Sequence, residues 1–228
     1  MTNIVYIDDS VIVVNKVSGL ATVPLSFDDD KPTLLKAVGY EFPEVLEIKS
    51  KHNWEGGTLH RLDTMTSGLV LFARTQYAFD RLMVEQYNDR IIKTYQAKVH
   101  KAEKKEEGFE PFPFGDVIAS PLVINSYFRP YGPKGAMVRP VLNNQLAMKK
   151  IGKPVLYTTQ TALFDENVIE CQLTKGFRHQ VRAHLAWSGY PLDGDDVYGG
   201  REGNEFGLFS SSITFKSPLS GKILTITA

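Results

Sequence analysis

This chain has one cysteine, no net charge and no long apolar run, and each of these absences excludes a class of protein. Its 26 basic residues equal its 26 acidic residues, so bulk charge does not draw it to nucleic acid. The lone Cys171 excludes an internal disulfide, and the alternating pattern around it predicts a small core or strand residue. Residues 1–9 contain two aspartates and no basic segment. We therefore expect neither a signal peptide nor a membrane span, and a cytoplasmic location.

The sequence also lacks the short motifs that hold common cofactors. It contains no phosphate-binding loop, no dinucleotide fingerprint and no zinc-ligand spacing. His179 and His184 are five residues apart, which on a helix places them on different faces, so they are not predicted to share a metal. We expect no metal and no cofactor.

The charged residues are distributed unevenly along the chain. From Arg129 to Arg182 there are nine basic residues against three acidic ones, whereas residues 1–50 hold four basic against eight acidic. Such a distribution is consistent with a basic face hidden by the neutral total, and equally with ordinary solvated surface. Apolar residues make up 43% of the chain, which is typical of a globular protein long enough for one large domain or two small ones.

Hydrophobic patterns predict more strands than helices. Short strands are expected at Ile4–Ile7, Val11–Val14, Leu69–Ala73 and Ile92–Val99. The spacing also predicts a helix that Thr75 caps and that runs to Tyr87. Its expected apolar stripe is Ala78, Phe79, Leu82, Met83 and Tyr87. This strand-rich order, without regular alternation of strands and helices, favours an α+β fold.

Residues 120–150 combine prolines and glycines with Arg129, Tyr131, Lys134 and Arg139. The segment is either an ordinary loop or a basic, aromatic arm that lies along RNA. Further on, the spacing places Arg178 and Arg182 one turn apart on a helix that Gly189 ends. That arrangement is either an anion site or a surface helix with solvated arginines.

The densest polar cluster precedes the apolar run Leu69–Ala73. Residues 60–68 read His-Arg-Leu-Asp-Thr-Met-Thr-Ser-Gly, which predicts that Asp63 lies on a tight loop beside a buried strand. The ordinary pKa of an aspartate is about 4, so Asp63 is a carboxylate at neutral pH and can act as a nucleophile or base. The alternative is a turn aspartate that accepts hydrogen bonds from local amides.

Three stretches resemble the motifs of one enzyme family. Residues 60–69 fill every fixed position of H-R-L-D-x-x-T-S-G-L. Residues 176–185 resemble G-R-x-H-Q-[IL]-R-x-H-L, with Phe177 at the usual arginine, and residues 189–199 resemble G-x-P-[IL]-x-G-D-x-x-Y-G. These are motifs of the RluA-type pseudouridine synthases, which the chain resembles from Val5 to about Lys222.

The resemblance implies a single catalytic domain over residues 1–228. Its α+β fold would hold a long, mixed and mostly antiparallel sheet, with flanking helices and a central RNA-binding cleft. The implied activity is isomerisation of specific uridines in ribosomal or transfer RNA to pseudouridine, without a cofactor. RNA is the expected partner, and a monomer that does not bind membranes is the expected state.

Residue roles follow from the same resemblance. Asp63 would attack the ribose anomeric carbon or C6 of uracil, and Arg182 would pair with Asp63. Tyr95, in a segment that resembles the family's Lys-Thr-Tyr, would stack on the uracil near C5. Arg61 would fill the gap left by the flipped uridine, and Asp195 would belong to a structural loop. The residues expected to contact the RNA or its target base are His60, Arg61, Thr66, Lys93, Lys153, Arg178, His179 and Val181.

Two rival functions stay open. One is a non-catalytic RNA-binding or ribosome-assembly protein on the same scaffold, which would be expected to lose Asp63, Tyr95 or Arg182, although all three are present. The other is an aspartate-dependent hydrolase in which water captures the covalent intermediate and free uracil is released.

Overall fold

The computed structural model describes residues 2–103, 108–143, 145, 149, 153–201 and 205–228. Two compact units form, one from Met1–Thr94 with Phe209–Ala228 and the other from Tyr95–Leu208. The chain passes from the first unit to the second within the strand Ile92–Lys98 and returns within the strand Leu208–Lys216. A single catalytic domain over residues 1–228 stays a prediction.

Ten strands and three α-helices lie in the described residues. The strands are β1 (Ile4–Ile7), β2 (Val11–Lys16), β3 (Ser67–Ala73), β4 (Ile92–Lys98), β5 (Leu122–Tyr131), β6 (Met137–Val141), β7 (Tyr157–Asp165), β8 (Val168–Leu173), β9 (Leu208–Lys216) and β10 (Ile223–Thr227). The α-helices are α1 (Leu34–Glu41), α2 (Gln76–Tyr87) and α3 (Gln180–Trp187), and short 3₁₀ turns cover Pro43–Val45 and Pro133–Gly135. None of these helices is both long and apolar enough to cross a bilayer.

The first unit is built on β2 and β3, which are apolar along nearly their whole length. β2 pairs antiparallel with β1 and with β3, β3 pairs parallel with β9, and β10 pairs antiparallel with β9. Gly68 at the start of β3 has φ +108°, and a Cβ there would meet the Ser210 carbonyl oxygen at 2.3 Å. Only glycine fits this approach of β3 to β9.

Helix α2 covers this sheet with a narrower stripe than the sequence predicts. Thr75 caps it as expected, since its side chain accepts a hydrogen bond from the Ala78 amide. Ala78, Phe79 and Leu82 are buried in the core of the unit. The prediction is wrong for Met83 and Tyr87, which are 38% and 85% exposed. The face of the helix that contacts the core includes Ala78, Phe79 and Leu82 but does not extend to these two residues.

The second unit contains a meander in which β5 pairs antiparallel with β6 and β7, and β7 pairs antiparallel with β8. Much of the segment predicted as a loop over residues 120–150 is thus the hairpin of β5 and β6. Its strand pattern is masked because Pro130 and Pro140 lie inside the strands. Residues 144, 146–148 and 150 of that segment lie outside the described residues.

The architecture confirms the predicted α+β class with a mixed, mostly antiparallel arrangement. β3 and β9 run parallel, whereas the other strand pairs named above run antiparallel. Cys171 is fully buried in β8, as its pattern predicts, and burial raises the pKa of its thiol. The central RNA-binding cleft stays a prediction.

Candidate active site

The loop that carries Asp63 is anchored on both sides of the carboxylate. The Thr22 hydroxyl accepts a hydrogen bond from the Leu62 amide at 3.1 Å and donates to the Leu62 carbonyl at 2.9 Å. The Thr66 amide donates to the Asp63 carbonyl at 3.0 Å, which closes a tight turn. Leu62 and Thr66 are buried, whereas Asp63 is half-buried. The loop therefore presents Asp63 between two fixed points.

Lys16 fastens the next residue of this loop from the end of β2. Its ammonium is buried and donates to the carbonyls of Val17 at 3.1 Å, Leu20 at 2.6 Å and Thr64 at 2.9 Å. Burial lowers the pKa of Lys16 to about 8, while the charge of nearby Asp63 opposes that change. At neutral pH Lys16 is thus a cation in the electrostatic surroundings of Asp63.

The segment after Lys16 adds two further ties to the loop. The Gly19 amide donates to the same Thr64 carbonyl at 2.9 Å, and the Ser18 hydroxyl donates to the Met65 carbonyl at 2.6 Å. The segment around Lys16 and the motif around Asp63 thus form one hydrogen-bonded unit. Their contact comes from the β2–β3 pairing, which places Lys16 opposite Gly68.

His60 is a neutral member of this site. Burial, with a further contribution from the Lys93 charge, lowers the pKa of His60 to about 3. Its Nε2 accepts a hydrogen bond from the Leu71 amide at 3.2 Å, which assigns the ring proton to Nδ1. His60 therefore braces the loop against β3. Contact of His60 with RNA stays a prediction.

Arg61 and Thr66 differ in their accessibility. The Arg61 side chain is 62% exposed and pairs with Glu55, with 2.7 Å between Nη1 and Oε1. The Thr66 hydroxyl is buried and has no hydrogen-bond partner among the described residues. Sequence reasoning missed Glu55, since no motif marks the turn on which it lies.

Lys93 and Tyr95 are both buried, although they belong to different units. Burial lowers the pKa of Lys93 to about 8, and the charge of Asp89 opposes that change. Lys93 therefore differs from the exposed, phosphate-binding lysine that is typical of RNA contacts. Tyr95 lies in β4 and is 7% exposed.

Arg182 is held inside the second unit by a carboxylate that the sequence assigned only to a structural loop. Its Nε and Nη2 donate to the two oxygens of Asp195 at 2.8 and 2.7 Å. The Asp195 side chain is fully buried, and the Arg182 guanidinium carbon lies 5.3 Å from the Tyr198 ring centre and 5.2 Å from that of Phe206. Pairing of Arg182 with Asp63 stays a prediction.

The predicted helix with both Arg178 and Arg182 is wrong in its start. Helix α3 begins at Gln180, after His179 in a left-handed conformation with φ 56°. Arg178 therefore lies before the helix, where its guanidinium donates to the carbonyls of Gly135 and Met137. The proposed anion site of two arginines on one helix does not form, because the chain turns at His179.

The other predicted contacts lie in different settings. His179 Nδ1 is 3.1 Å from the Tyr198 hydroxyl. Val181 is buried on α3, and Lys153 is exposed. Among the described residues no group of three or more His, Cys, Asp or Glu side chains could hold a metal ion.

Comparison with known proteins places these motifs in a family. A family model described as RNA pseudouridylate synthase matches residues 10–187. The ribosomal large subunit pseudouridine synthase D of Haemophilus influenzae is 29% identical over 199 residues, which are 87% of this chain and 53% of the relative. The protein of the same name from Pseudomonas aeruginosa is 30% identical over 200 residues, again 87% and 53%.

Solved structures agree on the fold. The human RNA pseudouridylate synthase domain containing 1 has a TM-score of 0.69 and 20% identity, covering 100% of this chain and 83% of that one. The human domain containing 4 has a TM-score of 0.64 and 15% identity, covering 99% and 87%. This chain spans about half the length of the curated relatives it matches. With the family model matching residues 10–187, the chain belongs to the RNA pseudouridylate synthase family.

Proposed function

We propose that this chain is an isomerase that converts uridine to pseudouridine in ribosomal RNA, with Asp63 as the nucleophile. Membership of the RNA pseudouridylate synthase family supports the reaction, and the printed names of the curated relatives, ribosomal large subunit pseudouridine synthases, support the substrate class. Transfer RNA is the second substrate class, and the protein would act in the cytoplasm as a monomer.

The reaction needs a nucleophile and a proton acceptor but no redox partner. The bond between uracil N1 and ribose C1′ breaks, the base turns, and a bond between C5 and C1′ forms. The C5 proton leaves and N1 gains a proton, so substrate and product have the same composition. An ionised carboxylate that attacks C1′ or C6 would hold the intermediate covalently while the base turns.

The bracing of the Asp63 loop is the observation that carries this proposal. Thr22 and Lys16 fasten the residues on either side of Asp63 through hydrogen bonds of 2.9–3.1 Å, and the neutral His60 ties the loop to β3. These anchoring bonds hold the loop on both sides of Asp63, which suits a carboxylate that must meet a substrate with a fixed orientation.

Tyr95, Arg182 and Arg61 complete the proposed machinery. A uridine in folded RNA must leave its stack before it can react. In this proposal Tyr95 stacks on the flipped uracil, and Arg182 pairs with the Asp63 carboxylate. Arg61 fills the space that the uridine leaves in the RNA. The rigid pairing of Arg182 with Asp195 supports a fixed, permanently charged guanidinium in this role.

The test is to map pseudouridine in total RNA from cells that lack this protein, complemented with wild type, Asp63→Asn or Asp28→Asn. Asp28 is an exposed aspartate outside the braced loop, so it is the matched control. We expect one or more uridines of ribosomal RNA to be modified with wild type and Asp28→Asn and to stay unmodified with Asp63→Asn.

Other results would select a rival function. Free uracil released from RNA by the purified wild type would identify a hydrolase that uses the same nucleophile. Unchanged pseudouridine at every position, together with tight RNA binding by the purified protein, would identify the non-catalytic RNA-binding function. If the modified uridine lies only in transfer RNA, the substrate class is transfer RNA instead of ribosomal RNA.

A further inference from the structure

The turn over residues 49–55, which precedes the Asp63 motif in the first unit, carries two aromatic rings that stack on each other. The ring centres of His52 and Trp54 are 5.0 Å apart, with 24° between the ring planes. His52 is exposed and Trp54 is half-buried. Trp54 is the only ring that His52 contacts among the described residues. The indole therefore covers one face of the imidazole, and the other face is open to solvent.

The backbone of this turn is held by hydrogen bonds that do not involve either ring. The Ser50 hydroxyl and the Glu55 amide both donate to the His52 carbonyl, at 2.7 and 2.9 Å. The Lys49 amide donates to the side-chain oxygen of Gln76 at 2.8 Å, and the side-chain amide of Gln76 donates to the Lys49 carbonyl at 3.2 Å. The fold of the turn thus does not depend on the imidazole of His52. A surface ordered in this way before binding loses little conformational entropy when a ligand arrives.

The charges of the turn favour an anionic ligand. Lys49 and Lys51 are both exposed, and neither has an ion-pair partner among the residues that the structure describes. No acidic residue lies between Glu47 and Glu55. Cations beside aromatic rings are the combination with which proteins bind single-stranded RNA, because the cations contact phosphates and the rings stack on bases.

A carboxylate joins the turn to the Asp63 motif. Glu55, the residue after Trp54, accepts a hydrogen bond from Arg61, with 2.7 Å between Nη1 and Oε1. Arg61 is the side chain proposed to fill the space that the flipped uridine leaves in the RNA. Groups beside Arg61 would therefore face the nucleotides next to that space.

We propose that the open face of His52, supported by Trp54, stacks on an unpaired base next to the target uridine, and that Lys49 and Lys51 contact the phosphates beside that base. The inference rests on the proposed function for the identity of the ligand as RNA. A planar base matches the open ring face. An acidic peptide would contact the lysines but leave this ring face uncovered.

The test measures RNA binding directly, so it does not depend on turnover. Dissociation constants for oligouridylate, a single-stranded RNA, are compared for the purified wild type, His52→Ala, His52→Phe and Tyr87→Ala. Loss of one stacked base weakens binding by about five- to 150-fold, which we expect for His52→Ala. His52→Phe keeps a ring and should bind as the wild type does. Tyr87 is an exposed ring on α2 outside the turn, so Tyr87→Ala is the matched control and should not change binding.

An oligomer of the same length with abasic sites separates stacking from charge, since it keeps every phosphate and has no base to stack. The wild type and His52→Ala should bind this abasic oligomer equally, whereas Lys51→Gln should weaken the binding of both oligomers. Because the His52 ring is exposed, urea denaturation should give His52→Ala the stability of the wild type.

Three results would overturn the proposal. They are wild-type affinity of His52→Ala for oligouridylate, an equal loss in Tyr87→Ala, and an equal loss of His52→Ala on the two oligomers. If the wild type forms pseudouridine in ribosomal RNA but His52→Ala binds oligouridylate as the wild type does, this surface fails while the proposed function stands. If His52→Ala weakens binding but the wild type forms no pseudouridine, the proposed function fails while this surface stands.

Discussion

Lys16 in the first unit and Arg182 in the second are both buried cations, but their surroundings stabilise the charge in different ways. Lys16 donates to three backbone carbonyls, which are dipoles without net charge. Arg182 has a full counter-charge in Asp195, bound through two parallel hydrogen bonds. The first arrangement solvates a cation, and the second pairs it.

The difference shows in how each group responds to burial. The pKa of Lys16 falls to about 8, because carbonyl dipoles only partly replace water. A lysine can relieve the cost of burial by losing its proton. A guanidinium does not lose its proton in proteins, so a buried arginine needs a carboxylate. The stability of the first unit therefore depends on Lys16 itself, whereas that of the second unit depends on Asp195, the partner of Arg182.

The largest expected effect comes from removing that partner. Asp195→Ala leaves the permanent charge of Arg182 buried without its carboxylate, which we expect to cost about 3–5 kcal/mol of unfolding free energy. Urea denaturation of the purified protein measures this loss. Asp196→Ala is the matched control, since Asp196 is the exposed neighbour in the same loop, and it should change stability by no more than about 0.5 kcal/mol. Equal losses in both variants would show that Asp195 matters only to the loop.

A smaller effect is expected when Lys16 is replaced by Met. This change removes the charge together with its desolvation cost, and it leaves the carbonyls of Val17, Leu20 and Thr64 short of a donor. The Thr64 carbonyl keeps the Gly19 amide as a donor, and Val17 is an exposed residue, so water replaces the lost donor there. We therefore expect the cost of one unsatisfied acceptor, about 1–3 kcal/mol, which is below that of Asp195→Ala. The exposed Lys51 gives the control, Lys51→Met. A loss in Lys16→Met as large as in Asp195→Ala would contradict the distinction between solvated and paired cations.

The sequence predicted what depends on local pattern. The apolar runs located β2 and β3, and Thr75 marked the start of α2. The contiguous motif around Asp63 placed that residue on a loop before a buried strand, which the fold confirms. These features are set by residues close together in the chain, so a single sequence suffices to read them.

The features it missed depend on geometry that spacing does not encode. Asp195 binds Arg182 from thirteen positions further along the chain, and no periodic pattern links a helix to a particular carboxylate of the following loop. The left-handed conformation of His179 shifts the start of α3 and moves Arg178 off the helix, although histidine carries no signal for such a turn. Prolines inside β5 and β6 concealed the hairpin, because they interrupt the sequence pattern of each strand. The hairpin is defined by the pairing of the two strands with each other.

Acid should destabilise both units through one neutral histidine in each. The pKa of His60 and that of His184 fall to about 3 from 6.5, in both cases chiefly by burial. The unfolded chain therefore binds protons that the folded chain excludes, and stability is lost as the pH falls from 6.5 towards 3. Between pH 6.5 and about 5.5 each histidine should lower the unfolding free energy by about 1 kcal/mol. Urea denaturation at both pH values measures the change, and His60→Gln should reduce it by the contribution of one group; an unchanged pH dependence would contradict a neutral His60.

The smallest effect is expected for the exposed pair of Arg61 and Glu55. Its atoms approach to 2.7 Å, as closely as those of the buried pair, but the Arg61 side chain is 62% exposed, so water and salt screen it. A double-mutant cycle with Arg61→Gln and Glu55→Gln should give a coupling of about 0.2–1 kcal/mol. A coupling close to that of Arg182 with Asp195 would show that distance rather than burial decides the strength of these pairs. A weak pair also fits the role proposed for Arg61, because a side chain that must exchange a carboxylate for RNA cannot be bound tightly in the free protein.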